Sequence, residues 1–184
     1  IRDHRHVTSL LHRIETTDTG VLVTPTLSFD ERGHQVNHMT YYCVGWSGNG
    51  EKPVDFYPTA EDFVGEGGNF ERPYAIVKKA EGVKAGTRIE GLEAVGGLHF
   101  SEVTLEPEEE CSYLIFTGIT EDIQEIRNLS KTYTTREMVL EELEKTKAYW
   151  QEKVNVAYHT GDSDFNQFMH WVSFQPILRR IYGC

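Results

Sequence analysis

The hydrophobic period of this chain changes once, near residue 120, and that change limits the folds open to it. From Val7 to Thr120 the apolar stretches are short: "VTSLLHRIET" (7–16), "VLVTPTLSF" (21–29), "VNHMTYYCVGWS" (36–47), "YAIVKKA" (74–80), "GLEAVGGLHFSEVTL" (91–105) and "CSYLIFTGIT" (111–120). They are rich in β-branched and aromatic residues, and glycine-bearing turns at 18–20 and 30–33 separate the first of them. Strands at this spacing without intervening helices predict an antiparallel two-sheet β-sandwich. After residue 120 the period becomes helical. "EDIQEIRNLSKTY" (121–133) reads as a helix, and Thr134 with Glu137 forms a capping box ahead of "MVLEELEKTKAYWQEKVN". In that second helix Val139, Leu143, Trp150 and Val154 share a stripe, and Glu141 and Lys145 stand four apart on the polar side.

The last helix has a different pattern. Asp162 or Ser163 can cap it, and Phe165, Phe168, Met169, Trp171, Val172, Phe174, Ile177, Leu178 and Ile181 then point in nearly every direction, with Pro176 expected to bend it. A helix apolar on all sides is made to be surrounded by other helices, and nothing upstream could surround it. The expected fold class is therefore mainly β with α: a sandwich at 1–120, a helical linker at 121–156, and at 157–184 the start of a further helical assembly.

Composition excludes several functions. The 184 residues carry a net charge of −11, and between Glu51 and Glu110 there are 14 acidic against 6 basic side chains. Such a surface repels nucleic acid and anionic lipid. No apolar run is long enough to span a bilayer, so no membrane partner is expected. The three cysteines, Cys43, Cys111 and Cys184, lack CxxC spacing and read as free thiols of a reducing compartment, the cytoplasm.

Motifs of chemistry are sparse. His4, His6, His12, His34 and His38 are the candidates for a metal cluster, but no cysteine or carboxylate stands at a matching offset, and no metal is expected. Asp55, Glu61, Asp62 and Glu66 cluster without a motif that would single out an acid and a base. The segment 47–73, "SGNGEKPVDFYPTAEDFVGEGGNFERP", is rich in glycine and proline around Phe56, Tyr57, Phe63 and Phe70. It reads as a long loop whose aromatics either stack on a sugar or anchor the loop to its own sandwich. No catalytic residue is nominated.

Two stretches carry a resemblance. "DFYPTAEDFVGEGGNFERPYAIVK" followed by "GLEAVGGLHFSEVTLEPEEE" resembles the amino-terminal β-sandwich of the family 94 glycoside phosphorylases, which include cellobiose, laminaribiose and chitobiose phosphorylases. "DSDFNQFMHWVSFQPILRRIYG" is similar to the first helix of that family's (α/α)6 barrel. The resemblance implies a non-catalytic amino-terminal part of an inverting enzyme. Its parent would cleave a β-linked glucose di- or oligosaccharide with inorganic phosphate as co-substrate, without a metal or organic cofactor, and would be a homodimer. It implies Arg180, near the inner end of the barrel helix, as a substrate-binding candidate, with Tyr57 and Phe63 as sugar contacts from the sandwich. The competing reading is a stand-alone β-sandwich that binds carbohydrate or protein.

Overall fold

The structure is a computed structural model that describes residues 8–30 and 33–182. Its strands follow from β-branched runs punctuated by turns. β1 (His12–Thr16) turns back into β2 (Gly20–Pro25), and Thr17 closes that turn: its amide donates to the Gly20 carbonyl and its Oγ1 accepts from the Thr19 and Gly20 amides. β3 (Leu27–Asp30) and β4 (Gly33–Val36) form a separate hairpin, and β5 (Thr40–Ser47) returns to pair with β2. With β7 (Arg88–Glu90) and β9 (Tyr113–Thr120) these strands build a five-stranded antiparallel sheet in the order β7-β1-β2-β5-β9. Gly20 admits β5 at close range, since a Cβ there would lie 2.1 Å from the Cys43 carbonyl oxygen.

A second, two-stranded antiparallel sheet of β6 (Asp55–Thr59) and β8 (Ala94–His99) lies over the first. Phe56, Ile14 and Val21 form the buried centre between them, with Val23, Val83, Ile89, Ala94 and Leu98 packed around. Across the same gap the Cys43 thiol donates to the Gly96 carbonyl, and burial pushes that thiol's pKa up. The opposite face of the large sheet buries Leu22, Val44, Trp46 and Leu114. Helix α3 (Ile123–Thr132), capped by Asp122 accepting from the Gln124 amide, buries Ile126. Just beyond α3, Tyr133 meets the sheet: the Trp46 indole donates to its carbonyl at 2.9 Å, and Trp46, Phe116 and Tyr133 stack in series. This is the antiparallel sandwich followed by helices that the periodicity predicts.

Three local expectations differ. The run 74–80 is not a strand. It forms a one-turn helix, α2 (Tyr74–Val77): Pro73 is its N-cap, whose carbonyl accepts from the Ile76 and Val77 amides, and after the Lys78 cap Lys79, at φ +48°, turns the chain away. The run 91–105 is a strand only at 94–99. The segment 47–73 is less a loop than expected, for it contains β6 and the short helix α1 (Ala60–Val64).

The chain divides into two compact units, residues 1–136 and 137–184, so α3 belongs with the sheets. The second unit contains most of α4 (Arg136–Lys153) and all of α5 (Ser163–Tyr182). On α4, Lys145 pairs with Glu142 and Lys147 with Glu144, each three residues apart. Of the two capping candidates for α5, Asp162 is the one used: its carboxylate accepts from the Asp164 and Phe165 amides. Within this unit Trp150 packs on Phe174 at 5.2 Å between centroids, while Phe165, Phe168 and Trp171 stay exposed.

Between the sheets Gly96 leaves no room for a side chain, because a Cβ would sit 2.5 Å from the Cys43 Cβ and 2.8 Å from its sulfur. Gly96→Ala is expected to destabilise the domain by about 1–3 kcal/mol through overpacking. Urea unfolding checks this, and an unchanged midpoint would show that the sheets yield.

Candidate functional site

Strand alternation places the candidate site. With Phe56 turned into the sandwich, Asp55 and Tyr57 project from the other face of β6. That face is closed by the segment that follows. A register shift between Tyr57 and Thr59 bends the strand, and Thr59 caps α1 by accepting from the Asp62 amide and donating to the Asp62 carboxylate. Gly65, at φ +79°, ends the helix against Tyr74, where a Cβ would lie 2.6 Å from the tyrosine's own Cβ. The Asn69 side chain then accepts from the Glu71 and Arg72 amides and directs the chain into α2. The "FVGEGGNFERP" segment is thus a wound turn held by its own polar groups.

Between this turn and β8 lies an open cleft of about 520 Å3, walled by Tyr57, Phe63, Ile76, Leu98 and Phe100, with His99 among the lining residues. Tyr57 is the rear wall: it is 5% exposed, and its hydroxyl donates to the Ala80 carbonyl. Phe63 is half-buried, with its ring 5.9 Å from Tyr57 and 6.3 Å from Phe70. Phe100 is steadied by Tyr113 at 4.6 Å. Lys79, Ser101 and Glu102 add polar groups to the cleft. Lys79 holds a left-handed backbone conformation, which for a residue with a side chain costs about 1 kcal/mol.

A buried carboxylate supports the cleft. The Asp55 side chain is 6% exposed, and its Oδ1 lies 2.7 Å from His99 Nδ1. Lys84 Nζ stands 3.9 Å from the other carboxylate oxygen and donates to the Val54 carbonyl. The His99 side chain is 47% exposed, so the ring links a buried carboxylate to the open cleft. Burial, and then the negative charge of Asp55, hold the Tyr57 phenol above its ordinary pKa.

The sequence-derived candidates fare differently. Tyr57 and Phe63 come together in the cleft, Tyr57 as an anchored wall and Phe63 as a partly open one. Arg180 lies in α5, and its side chain falls outside the described residues. Of the carboxylates grouped by sequence only Asp55 leaves the group, to pair with His99; Glu61, Asp62 and Glu66 together line a second cavity of about 330 Å3, where Asp62 also serves the α1 cap. His4 and His6 lie outside the described residues. Among the described residues no group of three or more His, Cys, Asp or Glu could hold a metal ion. Cys43 and Cys111 are free thiols, and Cys184 lies outside the described residues. No helix among the described residues is long and apolar enough to cross a membrane. Sequence reading missed His99, whose partner is 44 residues away and whose pairing has no local signal.

The raised phenol pKa has a consequence for stability. Its contribution is fully present below the pKa of an unfolded tyrosine and is lost as the pH rises through the higher folded value. An ultraviolet difference titration of the chain against Tyr57→Phe is expected to show one phenol ionising late. A difference spectrum with an ordinary midpoint would contradict the burial of that hydroxyl.

The cleft, its wound turn and the two sheets all lie within residues 2–136, the stretch that matches the family described as glycosyl hydrolase 94, supersandwich domain. No curated protein matches the chain. A match over well more than half of the chain decides the matter: this protein belongs to glycosyl hydrolase family 94, and residues 2–136 are its supersandwich domain.

Proposed function

We propose that this chain is the accessory, non-catalytic part of an inverting glycoside phosphorylase. The observation that carries the reading is the family match over residues 2–136. In the proposed reaction an oxygen of inorganic phosphate attacks the anomeric carbon of a β-glucoside. The carbon–oxygen bond to the acceptor sugar breaks, and one carboxylic acid of the parent's barrel protonates the leaving oxygen. The products are α-glucose 1-phosphate and the free acceptor. Because phosphate is the nucleophile, a second carboxylate to activate water is not needed, in contrast to an inverting hydrolase.

This chain's residues would serve binding rather than bond cleavage. The cleft side of Phe63 offers an aromatic face to a sugar ring, with Tyr57 fixed behind it. In a two-fold dimer a sandwich on one subunit can reach the barrel mouth of the other, which is the placement we propose for this turn. Arg180 would contact sugar hydroxyls or phosphate through its guanidinium fork. The acidic surface between Glu51 and Glu110 suits a neutral saccharide better than a polyanion.

The 184-residue chain alone is expected to release no glucose 1-phosphate from β-linked glucose disaccharides and phosphate, and turnover above a blank would overturn the non-catalytic reading. In the parent enzyme, Phe63→Ala should raise the apparent KM for the sugar by an amount equivalent to about 1–3 kcal/mol. Tyr57→Phe keeps the ring but removes its bond to the Ala80 carbonyl, and should raise KM less than Phe63→Ala. If Phe63→Ala folds, assembles and shows wild-type kinetics, the aromatic turn is only an anchor.

A further inference from the structure

We propose that the cleft between β8 and the 60–80 turn is itself a saccharide-binding site, in which His99 is the hydroxyl-binding group and Asp55 the residue that sets its tautomer. The choice of a saccharide rests on the family reading above, whereas the roles of His99 and Asp55 come from the geometry. An ionised carboxylate can only accept, so Asp55 Oδ1 at 2.7 Å fixes the proton on His99 Nδ1. In the neutral form of the ring, Nε2 is then a bare acceptor. No described residue hydrogen-bonds that nitrogen, and the His99 side chain is 47% exposed beside the cleft.

The rest of the cleft matches the same ligand. A pyranose has apolar C–H faces and a rim of hydroxyls, so it needs an aromatic wall and polar groups at its edge. Phe63 and Phe100 supply the wall, and Lys79, Ser101 and Glu102 supply donors and acceptors beside His99. A volume of about 520 Å3 lies in the usual range for small-ligand sites, roughly 300–1,000 Å3. The cleft lining offers an anion no cluster of cations, since Lys79 is offset by Glu102, and the 51–110 stretch is acidic as a whole. A purely apolar peptide segment would leave Nε2 desolvated without a donor. A neutral polyol with an apolar face satisfies both conditions.

The test uses this chain, titrated with laminaritriose and with cellotriose and followed by nitrogen-15 and proton NMR. Saturable shifts are expected at Gly97, His99, Phe100 and Ser101 with at least one of the two sugars, with a dissociation constant on the order of millimolar. His99→Ala should weaken that binding about tenfold or more. Asp55→Asn gives the diagnostic result. An asparagine amide donates to Nδ1, so the imidazole proton should move to Nε2, visible as exchanged nitrogen-15 shifts of the ring, and binding should weaken similarly. His99→Gln, which keeps an acceptor of similar reach, should retain more affinity than His99→Ala.

Absence of cleft shifts with both sugars would overturn the proposal, even if the parent enzyme proves to be a phosphorylase. Binding that persists undiminished in His99→Ala would also overturn it. Concentration-dependent shifts at the cleft without sugar, indicating a protein partner such as a second copy, would overturn it as well. Failure of the glucose 1-phosphate assay in the parent, with cleft binding intact, would instead remove the phosphorylase reading and leave this site standing.

Discussion

Burial of Phe56 is the constraint on which the rest of the first unit depends. Its side chain is 1% exposed between the two sheets, where it meets Ile14 and Val21. Full burial of one such ring is worth roughly 1.5–3 kcal/mol, enough to decide which way a five-residue strand faces. Because strand side chains alternate, that choice also turns Asp55 and Tyr57 to the opposite face. A one-residue slip would put a carboxylate into an apolar core and a phenylalanine into the cleft. The neighbouring strand agrees with the register: Leu98 lies opposite Phe56 and His99 opposite Asp55. Gly97, opposite Tyr57, leaves space where a Cβ would approach the tyrosine's Cβ to 2.8 Å. The core and the cleft are two sides of one ladder.

The large sheet is stabilised on its other side by a different chemistry. There Trp46 combines apolar burial with an indole hydrogen bond to the Tyr133 carbonyl, so an aromatic stack and a polar contact fix α3 at one position. This is why the first compact unit extends past the last strand to residue 136 and agrees with the extent of the family match. The helices from 137 onward form their own unit, and α5 leaves Phe165, Phe168 and Trp171 exposed. An apolar surface of that kind is a feature of segments that function against a partner.

The Asp55–His99 pair is costly unless it is used or fully satisfied. A carboxylate that is 6% exposed has lost most of its hydration, and the imidazole and the more distant Lys84 ammonium return only part of it. Tyr57 adds to the same region a phenol that stays protonated beside that negative charge. The arrangement concentrates directional polar groups behind aromatic walls, the combination that small polar ligands require.

Much of the architecture was legible from local signals. The switch in hydrophobic period near residue 120, the Thr17–Gly20 turn and the Asp162 cap are set by neighbours in sequence, and all three appear where local chemistry places them. The segment 47–73 was legible as a long connection rich in glycine and aromatics, but not as the strand β6 and helix α1 that it contains. The run at 74–80 carries β-branched residues that favour a strand, yet the Pro73 carbonyl at its start accepts from the Ile76 and Val77 amides and closes a helical turn instead. What only the tertiary structure decided is the pairing of Asp55 with His99. By sequence alone Asp55 was one acidic side chain among several and His99 one residue of a strand. Their contact depends on the register between β6 and β8, which the burial of Phe56 sets and no local pattern encodes. The sequence by itself determined which segments are strands, turns and helices, because those preferences act over a few residues. The tertiary structure decided which side chains meet, because long-range packing selects one register among several that local chemistry allows.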